Sequence, residues 1–258
     1  MLNDNKKCND LPGKEWLQNS FSIWRDLSKT KEEKDLKHPA SYPVVLCERL
    51  IKTFSKSGGI VLDPFNGIGT SMIAANNLGY GGVGIDLSED FCKIAKKRIN
   101  NENINIINGD SFEEIEKLPK NYFDICITSP PYWDILNMKR SADKKETVNY
   151  SDKVNDLGNI PNYNEFISSL GNLFSKIINV LKPGGYCIIN VMDLRKKNQF
   201  YPLHSDLATE MQRIGYIFDD LIIWDRQRDY NNMRPLGYPY KFRINKVHEY
   251  LLIFINSK

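Results

Sequence analysis

Ile60-Val61-Leu62-Asp63-Pro64-Phe65-Asn66-Gly67-Ile68-Gly69-Thr70 is the stretch that decides the fold class. Ile60 to Asp63 is a short apolar run that reads as a buried strand. Gly67 and Gly69 permit a tight turn and a close backbone approach to a ligand. From Thr70 the pattern is helical to Leu78, where Gly79 closes it. Strand, glycine turn and helix form the repeating unit of an α/β sheet, and ligands bind such sheets outside the carboxyl ends of the strands.

The same alternation continues on both sides of this unit. Upstream, Pro43 to Phe54 reads as a helix that Gly58-Gly59 breaks. Downstream, Gly82 to Asp86 reads as a strand, and Ser88 caps a helix through Ile99. Strands follow at Asn103 to Ile107 and Phe123 to Thr128. A long helix from Tyr163 to Leu181 stops at Pro183-Gly184-Gly185, before a strand from Tyr186 to Val191. A helix at Ser205 to Ile214 and strands at Ile217 to Trp224 and Glu249 to Ile255 complete the pattern. The order predicts an α/β fold with a doubly wound, mostly parallel sheet.

Residues 1–37 form a polar extension in which Trp16, Phe21, Ile23 and Trp24 are expected to dock on the core, and residues 38–258 form the main domain. Two irregular segments, 134–162 and 225–245, carry no sustained period. The second is basic, with aromatic rings interleaved, which suits a polyanion with bases to stack on; a solvated loop is the plain alternative. Hydrophobic residues are 41% and charged residues 26%, a balance that fits a soluble globular chain. No apolar run is long enough to span a bilayer, and no signal-peptide core precedes the first helix. The five cysteines form no C-x-x-C pair. Cys126 and Cys187 read as reduced core residues, so a reducing, cytoplasmic compartment is expected. His204 and His248 have no zinc-like spacing, so no metal is expected.

Met72 occupies the position where a dinucleotide fingerprint needs its third glycine, which weighs against a nicotinamide oxidoreductase. Asp63, Asp86 and Asp110 close three successive strands. A carboxylate at Asp86 can accept from both ribose hydroxyls, and one at Asp110 from an adenine amino group. An adenosine-containing cofactor is therefore expected, with helix capping the plain alternative for Asp86 and Asp110. At the end of the Phe123 to Thr128 strand stands Ser129-Pro130-Pro131-Tyr132, followed by Trp133. It places a hydroxyl, a rigid proline pair and two rings where a flat, amino-bearing ring could be held.

Together these motifs resemble the amino-methyltransferases of DNA, which use S-adenosylmethionine. The family shares Asp-Pro-Phe-x-Gly-x-Gly-Thr and a [Ser/Asp/Asn]-Pro-Pro-[Tyr/Phe] tetrad. His38-Pro39-Ala40-Ser41-Tyr42-Pro43 looks like its His-Pro-x-x-x-Pro segment. Leu181-Lys182-Pro183-Gly184-Gly185 and Asn245-Lys246-Val247-His248-Glu249-Tyr250 resemble its later landmarks. The resemblance implies the Rossmann-like class I methyltransferase fold, with seven strands of which one is antiparallel. It implies that Asp63, Pro64, Phe65, Gly67, Gly69 and Thr70 hold the methionine moiety, that Asp86 with Leu87 holds the ribose, and that Asp110 with Ser111 holds the adenine. His38 and Pro39 would flank the cofactor.

The tetrad would supply the chemistry. An exocyclic amino nitrogen is a poor nucleophile, because its lone pair is delocalised into the ring. Two acceptors aimed at its N–H bonds, Ser129 Oγ and the Pro130 carbonyl, would favour tetrahedral nitrogen and its developing charge. Pro131 would help to preorganise the loop, Tyr132 would stack on the target ring, and Trp133 would wall the pocket. Transfer would be direct and in line, to a base flipped out of double-stranded DNA. Arg226 and Arg228 would contact the DNA. Serine at the first tetrad position resembles the cytosine-N4 members, so cytosine N4 is the expected target. Adenine N6, an RNA base, and a non-catalytic DNA-binding subunit are the alternatives. A restriction endonuclease or specificity partner, in a prokaryotic or phage setting, would suit such a chain.

Overall fold

A computed structural model describes residues 7–35, 42–134, 156–229 and 235–258. The apolar runs become the strands β1 (Ile23–Trp24), β2 (Ile60–Asp63), β3 (Gly81–Asp86), β4 (Ile104–Asn108), β5 (Phe123–Thr128), β6 (Leu181–Val191), β9 (Tyr216–Asp225) and β10 (His248–Asn256). They form one sheet in the order β1-β9-β10-β6-β5-β2-β3-β4. A separate two-stranded hairpin pairs β7 (Leu194–Lys196) with β8 (Gln199–Tyr201). Strand β10 runs antiparallel to both β6 and β9, and every other pairing in the large sheet is parallel. The seven long strands, one of them antiparallel, are those expected. The two-residue β1 adds an eighth.

Helices cover both faces. On one face lie α3 (Val44–Phe54), α4 (Thr70–Asn77) and α5 (Glu89–Arg98), with Leu50, Met72 and Ala95 in one core. On the other, α7 (Tyr163–Val180) and α8 (Leu203–Arg213) bring Phe166, Phe174 and Leu207 into a second core. Strand β5 serves both: Ile125 and Ile127 belong to the first core and Cys126 to the second, the period-2 alternation of a strand covered on two sides. The short helices α1 (Gly13–Asn19), α2 (Lys31–Asp35) and α6 (Ser111–Glu114) lie outside this frame.

From β2 the chain winds outward through β3 and β4, then returns to β5 on the opposite side of β2. The order therefore reverses between β2 and β5. A crevice opens at such a reversal because the flanking loops leave in opposite directions. The glycine loop leaves β2 there and the tetrad leaves β5.

Three details depart from the sequence reading. The Pro183-Gly184-Gly185 stop does end α7, yet β6 begins at once with Leu181 and carries these residues inside it. The register against β5 shifts between Phe123 and Ile125 to absorb them. In the N-terminal extension, Trp24 is buried and pairs with Trp224, while Trp16, Phe21 and Ile23 stay exposed. Helix α1 buries none of its residues and ties to α3 through Asn19 Nδ2 donating to Thr53 Oγ1 (3.0 Å). Docking also uses β1, Asn9 Nδ2 donating to the Thr53 carbonyl (2.6 Å) and the Arg49–Asp26 ion pair. The expected irregular segments are only partly described, since residues 135–155 and 230–234 lie outside the described residues.

Candidate active site

A cleft of about 940 Å³, open mouth included, occupies the crevice between the ends of β2 and β5. Pro64, Phe65, Gly67 and Thr70 line it from the glycine loop. Asp86 and Leu87 line it from the end of β3, and Asp110 and Ser111 from the end of β4. Ser129 and Pro131 line the same cleft from the tetrad side. One continuous cavity thus joins the two motifs, which lie far apart in the chain.

In the cofactor half the acids are held locally. Asp86 Oδ2 accepts from the Gly67 amide (2.6 Å) and Oδ1 from the Ser88 amide (2.8 Å). Burial pushes its carboxyl up to about 6, against the pull of these two bonds. Asp110 Oδ1 accepts from the Phe112 amide (2.9 Å), so the acid does cap α6, and it still lines the cleft. The Ser111 hydroxyl donates to the Pro64 carbonyl (2.5 Å), which ties the two loops together.

Two members of the expected cofactor set do not reach the cleft. Asp63 is 1% exposed and does not line it. Its carboxylate accepts from the Phe65 amide and from the hydroxyls of Thr128 (2.6 Å), Ser71 (2.5 Å) and Tyr42 (3.2 Å). A carboxylate with four donors is already satisfied. Asp63 therefore clamps the end of β2 to the end of β5 and to α4, behind the ligand space. Gly69 has φ 86° and precedes α4, and a β-carbon there would lie 2.9 Å from Ala95 Cβ. Its missing side chain serves the approach of α5, whereas Gly67 (φ 52°) lines the cleft itself. His38 and Pro39 lie outside the described residues.

The chemistry of the lining fits an adenosine-containing ligand. Phe65, Leu87, Phe91 and Phe112 give apolar walls between the acids at the strand ends. Asn66 also lines the cleft, is 4% exposed, and has no partner for either amide atom among the described residues. A buried amide left open costs free energy until something bonds it, so a polar ligand here would be stabilised.

The tetrad half is built from distant partners. Tyr132, expected to stack on the target ring, does not line the cleft; it packs against the core, and its hydroxyl donates to Glu249 Oε2 on β10 (2.7 Å). Asn190 Nδ2, on β6, donates to the same hydroxyl (3.1 Å) and the same carboxylate oxygen (2.6 Å). Burial and the neighbouring Glu249 raise the Tyr132 phenol far above its ordinary range, so it keeps its proton. Ser129 Oγ lies 3.2 Å from both the Tyr132 hydroxyl and the Asn190 carbonyl. It has one proton for these two sites, and its lone pairs are available for accepting. Pro130 is buried beside it and does not line the cleft.

Arg226 and Trp133 take places other than those expected. Arg226 closes the network from outside, since its guanidinium pairs with Glu249 Oε1 and lies 4.7 Å from the Trp224 ring centroid. Its charge is therefore spent inside the protein. Arg228 is exposed in the short turn after β9. Trp133 is 5% exposed and does not wall the cleft. It packs edge-on against Tyr163 (5.2 Å) and Tyr201 (4.9 Å), and its Nε1 donates to the Ile160 carbonyl (2.8 Å).

Sequence reasoning left Glu249 and Asn190 without a role, and it placed Asn66 only as part of the Phe65–Gly69 loop expected to hold the methionine moiety. The available signal was a polar residue within or at the head of an apolar strand, Asn190 in Ile188-Ile189-Asn190-Val191 and Glu249 before Tyr250-Leu251-Leu252-Ile253. Such residues are costly to bury without partners.

Known proteins share the family and the fold. The DNA methylase family profile, which groups N6 and N4 enzymes, matches residues 2–97 and 123–258, and a methyltransferase-domain profile matches residues 62–141. The Type II methyltransferase M2.DpnII of Streptococcus pneumoniae is 38% identical over 103 residues, which is 40% of this chain and 34% of that protein. The orphan methyltransferase M.BamHII of Bacillus amyloliquefaciens is 39% identical over 87 residues, 31% of this chain and 32% of that protein. The chain thus matches about a third of the length of these curated relatives. Among solved structures, a putative S-adenosylmethionine-dependent methyltransferase from Listeria monocytogenes has a TM-score of 0.51 at 12% identity, over 78% of this chain and 91% of that one. A methyltransferase from Methanosarcina mazei has a TM-score of 0.50 at 11% identity, over 80% and 96%. The two structures share the fold, a Rossmann-like methyltransferase sheet. The family profile runs over both the cleft loop and the tetrad, and the chain belongs to the N6/N4 DNA methylase family.

Proposed function

We propose that this chain transfers a methyl group from S-adenosylmethionine to an exocyclic amino group of a base in DNA, with cytosine N4 the favoured target. The observation that carries the proposal is the shared cleft: one cavity is lined at one end by Asp86, Asp110 and the glycine loop, and at the other by Ser129 and Pro131. A donor and an acceptor bound there would be adjacent, and positioning supplies much of the rate of such a reaction. When bound, S-adenosylmethionine supplies an electrophilic sulfonium methyl. Asp86 accepts from the ribose hydroxyls, Asp110 accepts from the adenine amino group, and the Phe65 and Phe112 rings hold the apolar faces.

The tetrad orients the acceptor. Ser129 Oγ accepts from an N–H bond of the target amino group and draws its nitrogen toward tetrahedral geometry, while Pro130, buried beside it, would reach the second N–H only if its carbonyl is uncovered when the base enters. Glu249 and Asn190 fix the Tyr132 hydroxyl, which braces the tetrad loop that carries Ser129; the ring would serve as a platform for a base that extends beyond the cleft lining. Fixing a group before the reaction removes a cost from the transition state. A base inside a duplex cannot reach a recessed cleft, so the target is flipped out. Arg228, exposed in the turn after β9, would meet phosphate. Serine at the first tetrad position resembles that of the cytosine-N4 members, which favours cytosine; its hydroxyl can accept from the amino group and donate to the acceptor nitrogen of the ring. Adenine N6 is the second reading, because adenine offers the same pair of groups.

The protein is incubated with labelled S-adenosylmethionine and duplex DNA, the DNA is digested, and the nucleosides are identified by mass spectrometry. N4-methyldeoxycytidine is expected. Label in N6-methyldeoxyadenosine would replace the cytosine reading, and label in RNA alone would overturn the DNA reading.

A further inference from the structure

The β7–β8 hairpin stands apart from the large sheet and is rooted beside the tetrad. Leu194 is buried at its base, and Tyr201 packs 4.9 Å from Trp133 and 4.7 Å from Tyr163. Lys196 pairs with Asp134 and sits 4.1 Å from the Trp133 ring centroid. Trp133 directly follows Tyr132, so the hairpin is fixed to the residue next to the tetrad.

Its outer end gathers a second segment. Arg243 Nη2 donates to Asn198 Oδ1 in the hairpin turn (2.9 Å). The Lys246 ammonium lies 4.9 Å from the Phe200 ring centroid and the Arg195 guanidinium 5.5 Å from it. Residues 194–201 and 235–246 together contain Arg195, Lys196, Lys197, Lys241, Arg243 and Lys246 and no acid at all. Among the described residues, Lys196 is the one of these six cations that forms an ion pair, with Asp134. The same two segments expose Phe200 (37%), Tyr240 (95%) and Phe242 (93%).

We propose that the hairpin and the 235–246 segment form a DNA-gripping surface, with Arg195, Lys197 and Arg243 on the phosphates of the strand next to the target base and Phe200 against a neighbouring sugar or base. The proposal rests on the DNA methyltransferase reading and deepens it. Charge complementarity selects the partner, because cations without acids beside exposed rings match a strand of phosphates and bases. The anchoring at Trp133 selects the position. Such a surface gives the chain a hold on DNA close to the chemistry.

The experiment measures the affinity of the full chain for duplex DNA across a salt series, in wild type and in Arg195→Gln/Lys197→Gln/Arg243→Gln. The slope of log affinity against log salt should become shallower by roughly 2–3 units, about 0.9 for each phosphate no longer neutralised. The KM for DNA should rise, while the dissociation constant for S-adenosylmethionine stays unchanged and certifies the fold. Phe200→Ala should raise the KM for DNA without altering the slope. An unaltered slope in the triple variant overturns the proposal. So does a loss confined to single-stranded RNA, or a loss confined to vesicles containing phosphatidylserine. Binding is read without transfer, so a wild-type chain that grips DNA through the hairpin and methylates no base would break the enzymatic reading and leave this surface standing.

Discussion

The two halves of the cleft are held together in different ways. In the cofactor half, each strand-end acid has one partner close by in sequence, Asp86 with Ser88, Asp110 with Phe112 and Asp63 with Phe65, each two residues apart, and longer ties from Gly67 to Asp86 and from Ser111 to Pro64 join these turns. In the tetrad half, Ser129 meets Asn190 across 61 residues and Tyr132 meets Glu249 across 117. The first half starts from turns that the local chain can write, which a few longer ties then join. The second exists only once β5, β6 and β10 lie side by side. A ligand-binding loop can thus be specified locally, whereas a group that must be oriented for chemistry is braced from several strands.

The sharpest way to break this comparison is at the tetrad. Ser129→Ala should lower the turnover of methyl transfer by about 100-fold or more, the size expected when one preorganised group at a developing charge is removed. The cofactor dissociation constant should not move. A parallel loss of cofactor affinity would show that the two halves are not separable.

The brace comes next. Glu249→Gln should cut turnover about tenfold, the kinetic equivalent of roughly one net hydrogen bond. Tyr132→Phe should cost a similar factor, and the double variant should cost no more than either alone, because both remove the same interaction. Additive losses would mean that Glu249 acts other than through the Tyr132 hydroxyl. A lowered turnover with an unchanged cofactor affinity would distinguish this positioning role from general loosening.

In the cofactor half the effect is on affinity and on its pH dependence. Burial holds the Asp86 carboxyl at about 6. A diol that donates to it prefers the ionised form. Cofactor affinity should therefore rise as pH increases toward about 6 and level off above it. In Asp86→Asn the affinity should be weaker and the profile flat over that window, as calorimetry at several pH values would reveal. The same titration in both proteins would sink the assignment of Asp86 to the cofactor.

The smallest effect on chemistry is expected at Gly69. A β-carbon there meets Ala95, and the left-handed backbone disfavours any side chain. Gly69→Ala should destabilise the fold by about 1–3 kcal/mol, read as a lower Tm. Cofactor affinity well below that temperature should be nearly unchanged, which would separate Gly69 from Gly67.

Much of the sheet was legible because its signals are local. Ile60 to Asp63 and Phe123 to Thr128 announce strands by apolar continuity, and Ser88 announces a helix by its cap. The β7–β8 hairpin was not legible, since its three-residue strands are too short and too polar to show a period. Arg226 was misplaced for a related reason. A cation in a basic stretch looks solvent-facing until the strand beside it is known to carry a buried carboxylate.

By itself the sequence determined the strand and helix order, the glycine loop, the acids at the strand ends and the tetrad after β5. Each depends on backbone preferences and spacing within a few residues. The tertiary structure alone decided that Asp63 faces inward, that Trp133 anchors a hairpin, and that Glu249, Asn190 and Arg226 stand behind Tyr132. Those outcomes depend on which strands become neighbours, and a buried charge takes whatever partner that neighbourhood provides.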